Sequence, residues 1–123
     1  MTGTVDVVIV GASAAAIAAT ADAASRGLRV LLVIRPRLAS LSREFRQSLR
    51  VIRASSPRQV SVASGAELAC VDGVNAIEAV VVRQIRTGRL VGVNASALLD
   101  CGDPRRKYDA RKSRAVRDSA SAR

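Results

Sequence analysis

The 123-residue sequence sets 20 Lys and Arg against 10 Asp and Glu, for a net charge of +10, and contains no His, no Trp, one Phe and one Tyr. Without an imidazole the chain cannot by itself supply a His general base, a Ser-His-Asp relay or a His-ligated metal. Apolar residues reach 49% but aromatics only 2%, so a single domain is expected, with a core of Val, Leu, Ile and Ala.

Cys70 and Cys101 lie 31 positions apart with no CxxC spacing. That pattern fits two small apolar fillers in a reduced protein better than a disulfide framework or a zinc site. Val7 to Ala21 is an uncharged run of fifteen residues, shorter than a membrane span needs. The segment before it has no basic residue and carries Asp6, unlike a secretory signal. No membrane span and a cytoplasmic location are expected.

In chain order, Val5 to Val10 is a nearly continuous β-branched run ending at Gly11, the pattern of a strand buried on both faces. An Ala-rich segment follows and is closed by Gly27; it predicts a helix with Ala14, Ile17, Ala18, Ala21 and Ala24 on its inner face. Leu28 to Ile34 reads as a second strand, stopped by Pro36. Strand, helix and strand make a βαβ unit whose strands are parallel neighbours.

Between Arg35 and Pro57, Leu38, Leu41, Phe45, Leu49 and Ile52 recur every three or four residues, with Arg43, Arg46, Arg50 and Arg53 on other faces. An amphipathic helix is expected there. Strands are then expected over Gln59–Ala63, Glu67–Val71, Ala76–Ile85, Leu90–Asn94 and Ala97–Cys101, with Arg86-Thr87-Gly88-Arg89 as a hairpin turn. The last strand meets a Gly at Asp100-Cys101-Gly102-Asp103. In an open α/β sheet the carboxyl ends of the strands are where ligands bind.

The charge is concentrated at one end. Residues 104–123 hold eight of the twenty basic residues and only two acids. With one Val and one Tyr besides its alanines, this segment has too little apolar surface to offset the entropy of ordering it. A disordered basic tail is expected, and 1–103 is expected to be the folded domain. Arg105, Arg106, Lys107, Arg111, Lys112 and Arg114 could meet phosphates or an anionic surface. The absence of interleaved aromatics speaks against a nucleic-acid platform.

Asp6 to Ala16 (Asp-Val-Val-Ile-Val-Gly-Ala-Ser-Ala-Ala-Ala) resembles the strand and Gly-x-Gly-x-x-Gly turn of FAD-dependent oxidoreductases with two dinucleotide-binding folds. Ala18 to Val33 resembles their Ala-rich helix and second strand. Asn75 to Asp103 resembles their meander, whose last strand runs into Asp-Ala-Thr-Gly-Asp; here the ending is one residue shorter. The resemblance covers about half of the chain. It implies a Rossmann-type α/β parallel sheet with a βαβ start and an antiparallel β-meander. It also implies FAD as cofactor, and Gly11, Ala12, Ser13, Ala14, Ala16, Ile34, Arg35, Gly102 and Asp103 as the cofactor-binding positions.

Two departures from that pattern bear on the site. Ser13 stands where the second Gly lets a pyrophosphate approach the backbone; its hydroxyl could donate to a phosphate, cap the helix, or close the site by bulk. Ala16 in place of the third Gly is a mild change. Ile34 stands where the family carries an acid that accepts hydrogen bonds from the adenosine ribose. Arg35 beside it could pair with a 2′-phosphate, which would suit NADP, or simply be an exposed residue opening a loop.

Asp100 and Asp103 lack a His or metal partner and are set aside as an acid–base pair; Cys101 lacks a resolving thiol nearby. Catalytic residues are not assigned, because the family's substrate domain does not fit in 123 residues. The expected function is a shortened, truncated-looking flavoprotein or dinucleotide-binding subunit that works with a catalytic partner. The alternatives are a noncatalytic degenerate Rossmann scaffold, assembling as an oligomer through open sheet edges, and a basic-tail binder of nucleic acid or anionic surfaces.

Overall fold

The computed structural model describes residues 3–74 and 76–101; Asn75 and the basic tail expected over 104–123 lie outside the described residues. The elements are β1 (Gly3–Val10), α1 (Ala14–Ser25), β2 (Val30–Ile34), a 3₁₀ turn (Leu38–Ser40), α2 (Arg43–Ser55), β3 (Val60–Ser64), β4 (Ala66–Asp72), β5 (Ala79–Gln84) and β6 (Leu90–Asp100). All six strands form one sheet in the order β3-β2-β1-β6-β5-β4. β3, β2, β1 and β6 are mutually parallel, and β6, β5 and β4 form an antiparallel meander. The expected βαβ start and meander are both present.

The central strands β1 and β2 are buried on both faces, as their continuous β-branched runs require. On one face Val7, Ile9, Val30, Leu32, Ile34 and Val60 pack with Ala16, Ala23 and Ala24 of α1 and with Phe45 and Leu49 of α2. On the other, Val8 and Val33 pack with meander residues including Ala66, Leu68, Val80, Val82 and Val93. The meander thus covers the face that the helices leave open.

Helix α1 packs with a face rotated from the expected one, sharing Ile17 and Ala24 with it. Ala16, Thr20, Ala23 and Ala24 are buried, while Ala14 and Ala18 are exposed. In an alanine run every face has the same apolar character, so the sheet rather than the side-chain pattern selects the face. Thr20 is fully buried, and its hydroxyl donates to the Ala16 carbonyl at 2.7 Å. That bond satisfies the hydroxyl within the helix.

The expected helix after Arg35 is divided. Leu38–Ser40 is a single 3₁₀ turn, and α2 begins only after Ser42, whose hydroxyl accepts from the Phe45 N–H at 3.2 Å. Glu44 in the first turn and Arg53 in the last complement the helix dipole. Phe45 and Leu49 are buried, and Leu38, Leu41 and Ile52 pack at the edge of the same core. The apolar spacing identifies the packed face; the N-cap sets the boundary.

The two strands expected over Leu90–Asn94 and Ala97–Cys101 are one continuous strand, β6. Its first half pairs with β5, and Val93 onward pairs with β1. The face alternation slips midway, which disguises the continuity. Val93 and Ala95 face the meander side, yet Leu98 also packs there. β1 slips at the same level: Val5 and Val8 share that side, and the N–H groups of Asp6 and Val7 both donate to the Arg29 carbonyl, at 2.9 and 3.1 Å. The Asp6 carboxylate braces this irregularity by accepting the Arg29 N–H at 2.7 Å. The expected turn joins β5 to β6, with Gly88 at φ 74° donating its N–H to the Gln84 carbonyl at 2.7 Å.

Candidate functional site

The carboxyl ends of β1, β2 and β6 converge on the start of α1. Gly11 leaves β1 with φ 136°, in a region that disfavours a Cβ, and its N–H donates to the Val33 carbonyl at 3.0 Å. Cys101, just past β6, donates its N–H to the Val10 carbonyl at 2.7 Å. The three strand ends are therefore stitched together beside one helix N-terminus.

Ser13 occupies the centre of this junction as the N-cap of α1. Its hydroxyl accepts from the Ala16 N–H at 3.2 Å and donates to the Cys101 carbonyl at 2.9 Å. Of the three roles open to Ser13, the structure shows the helix cap, and the hydroxyl proton is donated to the residue just past β6. The N–H groups of Ala14 and Ala15 have no hydrogen-bond acceptor among the described residues, and both residues are exposed. Together with the helix dipole they make an anion-accepting end. Ala12 is half-buried against the helix-side core.

At the end of β2 the chemistry is different. Ile34 is fully buried within the helix-side core and brings no polar group to the edge. Arg35 is exposed, and its guanidinium pairs with the Glu67 carboxylate of β4. The other Glu67 oxygen accepts from Arg83 Nε of β5 at 3.0 Å. Nothing in the sequence marks this Arg-Glu-Arg cluster, because the three residues come together only when the meander folds over the β2 end. The expected contributors Gly102 and Asp103 lie outside the described residues.

Cys101 is half-buried against the helix-side core. Burial, and secondarily the Asp100 carboxylate, push its thiol pKa above the ordinary 9.0, which disfavours the reactive thiolate. This agrees with a packed filler. Among the described residues, no helix is long and apolar enough to cross a membrane.

No family model matches this chain, and no curated protein does. Solved structures do. A geranylgeranyl bacteriochlorophyll reductase-like protein from Thermoplasma acidophilum aligns over 83% of this chain and 40% of its own, with a TM-score of 0.66 and 15% identity. The myxobacterial chondrochloren halogenase CndH, described as a variant of FAD-dependent halogenases, aligns over 86% of this chain and 39% of its own, with a TM-score of 0.65 and 14% identity. Over the aligned part the fold is that of these reductase and halogenase structures. Bacillithiol disulfide reductase from Staphylococcus aureus adds a TM-score of 0.65 at 17% identity, over 81% of this chain and 29% of its own. The chain thus spans 29–40% of the length of these structures. At such identities the likeness concerns the fold.

Proposed function

We propose that this chain is a dinucleotide-binding unit of the FAD-dependent oxidoreductase kind, which holds the diphosphate of FAD at the start of α1 and relies on another polypeptide for catalysis. The observation that carries this reading is the pair of N–H groups at Ala14 and Ala15, without an acceptor among the described residues and set at the carboxyl edge of β1 behind the Gly11 turn. The small, exposed side chains of Ala14 and Ala15 leave the backbone approachable there. The residues fit the diphosphate. They do not fit the ribose as well, because Ile34 replaces a hydrogen-bond acceptor and is closed in the core. When bound, FAD would supply hydride and electron chemistry; this chain's own residues would bind and orient it.

The need for a partner is supported by the sheet. From Ser96 to Leu99, the side of β6 away from β1 pairs with no strand among the described residues, and Ser96, Ala97 and Leu99 are exposed. An open edge within a mixed sheet invites another strand.

The test is a titration of the purified chain with FAD and with ADP, read by flavin fluorescence and calorimetry, for the natural sequence and for Ser13→Gly. Removing the hydroxyl frees the Ala16 N–H and the space above it, so the variant is expected to bind both ligands more tightly. Failure of both proteins to bind either ligand would remove the reading and leave the noncatalytic scaffold. Arg35 is engaged by Glu67, so binding with a preference for NADP is not expected.

A further inference from the structure

A second feature lies away from the α1 junction and uses none of its residues. The 3₁₀ turn and α2 enclose an open groove of about 720 Å³, lined by Leu38, Ala39, Leu49 and Ala54 and by Arg46, Arg50 and Arg53. Leu49 is buried in the core and Leu38 half-buried, so the floor is apolar and fixed. The three arginines are exposed and make no ion pair among the described residues.

The spacing of these arginines follows from the helix. At about 100° per residue, Arg46, Arg50 and Arg53 fall within roughly 60° of one another on the α2 surface. Arg46 and Arg53 are seven residues apart, about 10.5 Å along the axis at 1.5 Å per residue. A second helix with carboxylates at i, i+4 and i+7 repeats that spacing, and an apolar stripe beside its acids would rest on Leu38, Ala39 and Ala54. A nucleic-acid strand would use the arginines but has no use for the apolar floor. A bilayer needs apolar residues projecting outward, and here they are recessed.

We propose that the groove between the 3₁₀ turn and α2 is a docking site for an acidic amphipathic helix of a partner protein, with Leu38, Ala39 and Ala54 taking its apolar stripe and Arg46, Arg50 and Arg53 its carboxylates. This proposal does not depend on dinucleotide binding, and either can fail without the other.

The experiment uses the full chain and a synthetic helical peptide with one Leu stripe flanked by Glu at i, i+4 and i+7, followed by fluorescence anisotropy. Competitors are a scrambled peptide of the same composition, a duplex DNA and phosphatidylglycerol vesicles. The designed peptide is expected to bind at least tenfold more tightly than the scrambled one. Arg46→Glu with Arg50→Glu should abolish that binding and create binding to the same peptide carrying Lys in place of Glu. Ala39→Trp, which fills the groove without changing charge, should weaken binding at least tenfold. The proposal is overturned by equal binding of the scrambled peptide, by tighter binding of DNA or vesicles, by no binding of the designed peptide, or by indifference to Ala39→Trp.

Discussion

Ser13 does two structural tasks with one hydroxyl, capping α1 and joining it to the end of β6. Ser13→Ala loses both and is expected to cost about 1–2 kcal/mol in urea denaturation. Ser13→Gly is expected to cost less, since Gly is tolerated at an N-cap. Ile34→Ala should cost about 2–5 kcal/mol, as a fully buried aliphatic does. Ile34→Glu should lower stability further by burying a carboxylate, so an acidic group cannot be placed at the end of β2 by that change alone. Cys101 gives a pH dependence with a definite sign. Its raised folded pKa means that the native state holds the thiol proton more tightly than the unfolded chain does. The resulting stabilisation is complete below about pH 9 and is lost as pH rises through the folded value. Urea denaturation at neutral and alkaline pH should show this loss, and Cys101→Ala should remove that part of it. The positions of Ser13 and Ile34 at the strand ends were legible in the sequence. What their side chains touch was not, because Cys101 meets Ser13 from 88 residues away.

Among the elements, those defined by local signals were the most legible. The Gly11 turn, Gly27 after α1 and Gly88 in the hairpin all have positive φ, and each marks a boundary in the sequence. α2 was legible as an apolar period, but its start depended on Ser42, a cap that the continuous Leu38-Leu41-Phe45 spacing concealed. Ser42→Ala is expected to cost about 1 kcal/mol, measured by chemical denaturation. Gly73 leads out of β4 at φ 155°, and a Cβ there would collide with the Ala76 carbonyl. Gly73→Ala is therefore expected to lower stability substantially, and hydrogen exchange should show the loss concentrated in the β4–β5 pairing. The continuity of β6 was hidden because its alternation slips between Ala95 and Leu98 together with that of β1.

For the molecule as a whole, the open stretch of β6 makes a prediction about assembly. With Ala97 and Leu99 exposed and no described strand paired to that stretch on the side away from β1, the isolated chain is expected to self-associate as its concentration rises. Sedimentation across a concentration series should show this, and Leu99→Lys, placing a charge on the edge, should shift the chain toward monomer. A monomer at every concentration would mean that the edge is not adhesive by itself. At this scale Glu67 also acts, holding Arg35 and Arg83 together across β2, β4 and β5. Glu67→Gln should release Arg35 and raise the affinity for NADP relative to NAD, as read by calorimetry.

Neighbouring residues alone are enough to specify the βαβ start, the meander and the lack of imidazole chemistry, because β-branched runs, glycine turns and composition act locally. Folding in three dimensions was needed to choose the buried face of α1, to make β6 one strand lying beside β1, to tie Ser13 to Cys101 and to occupy Arg35 with Glu67. Each of these is a contact between segments far apart in the chain. An alanine run, an arginine or a serine hydroxyl carries no mark of the partner that folding brings to it.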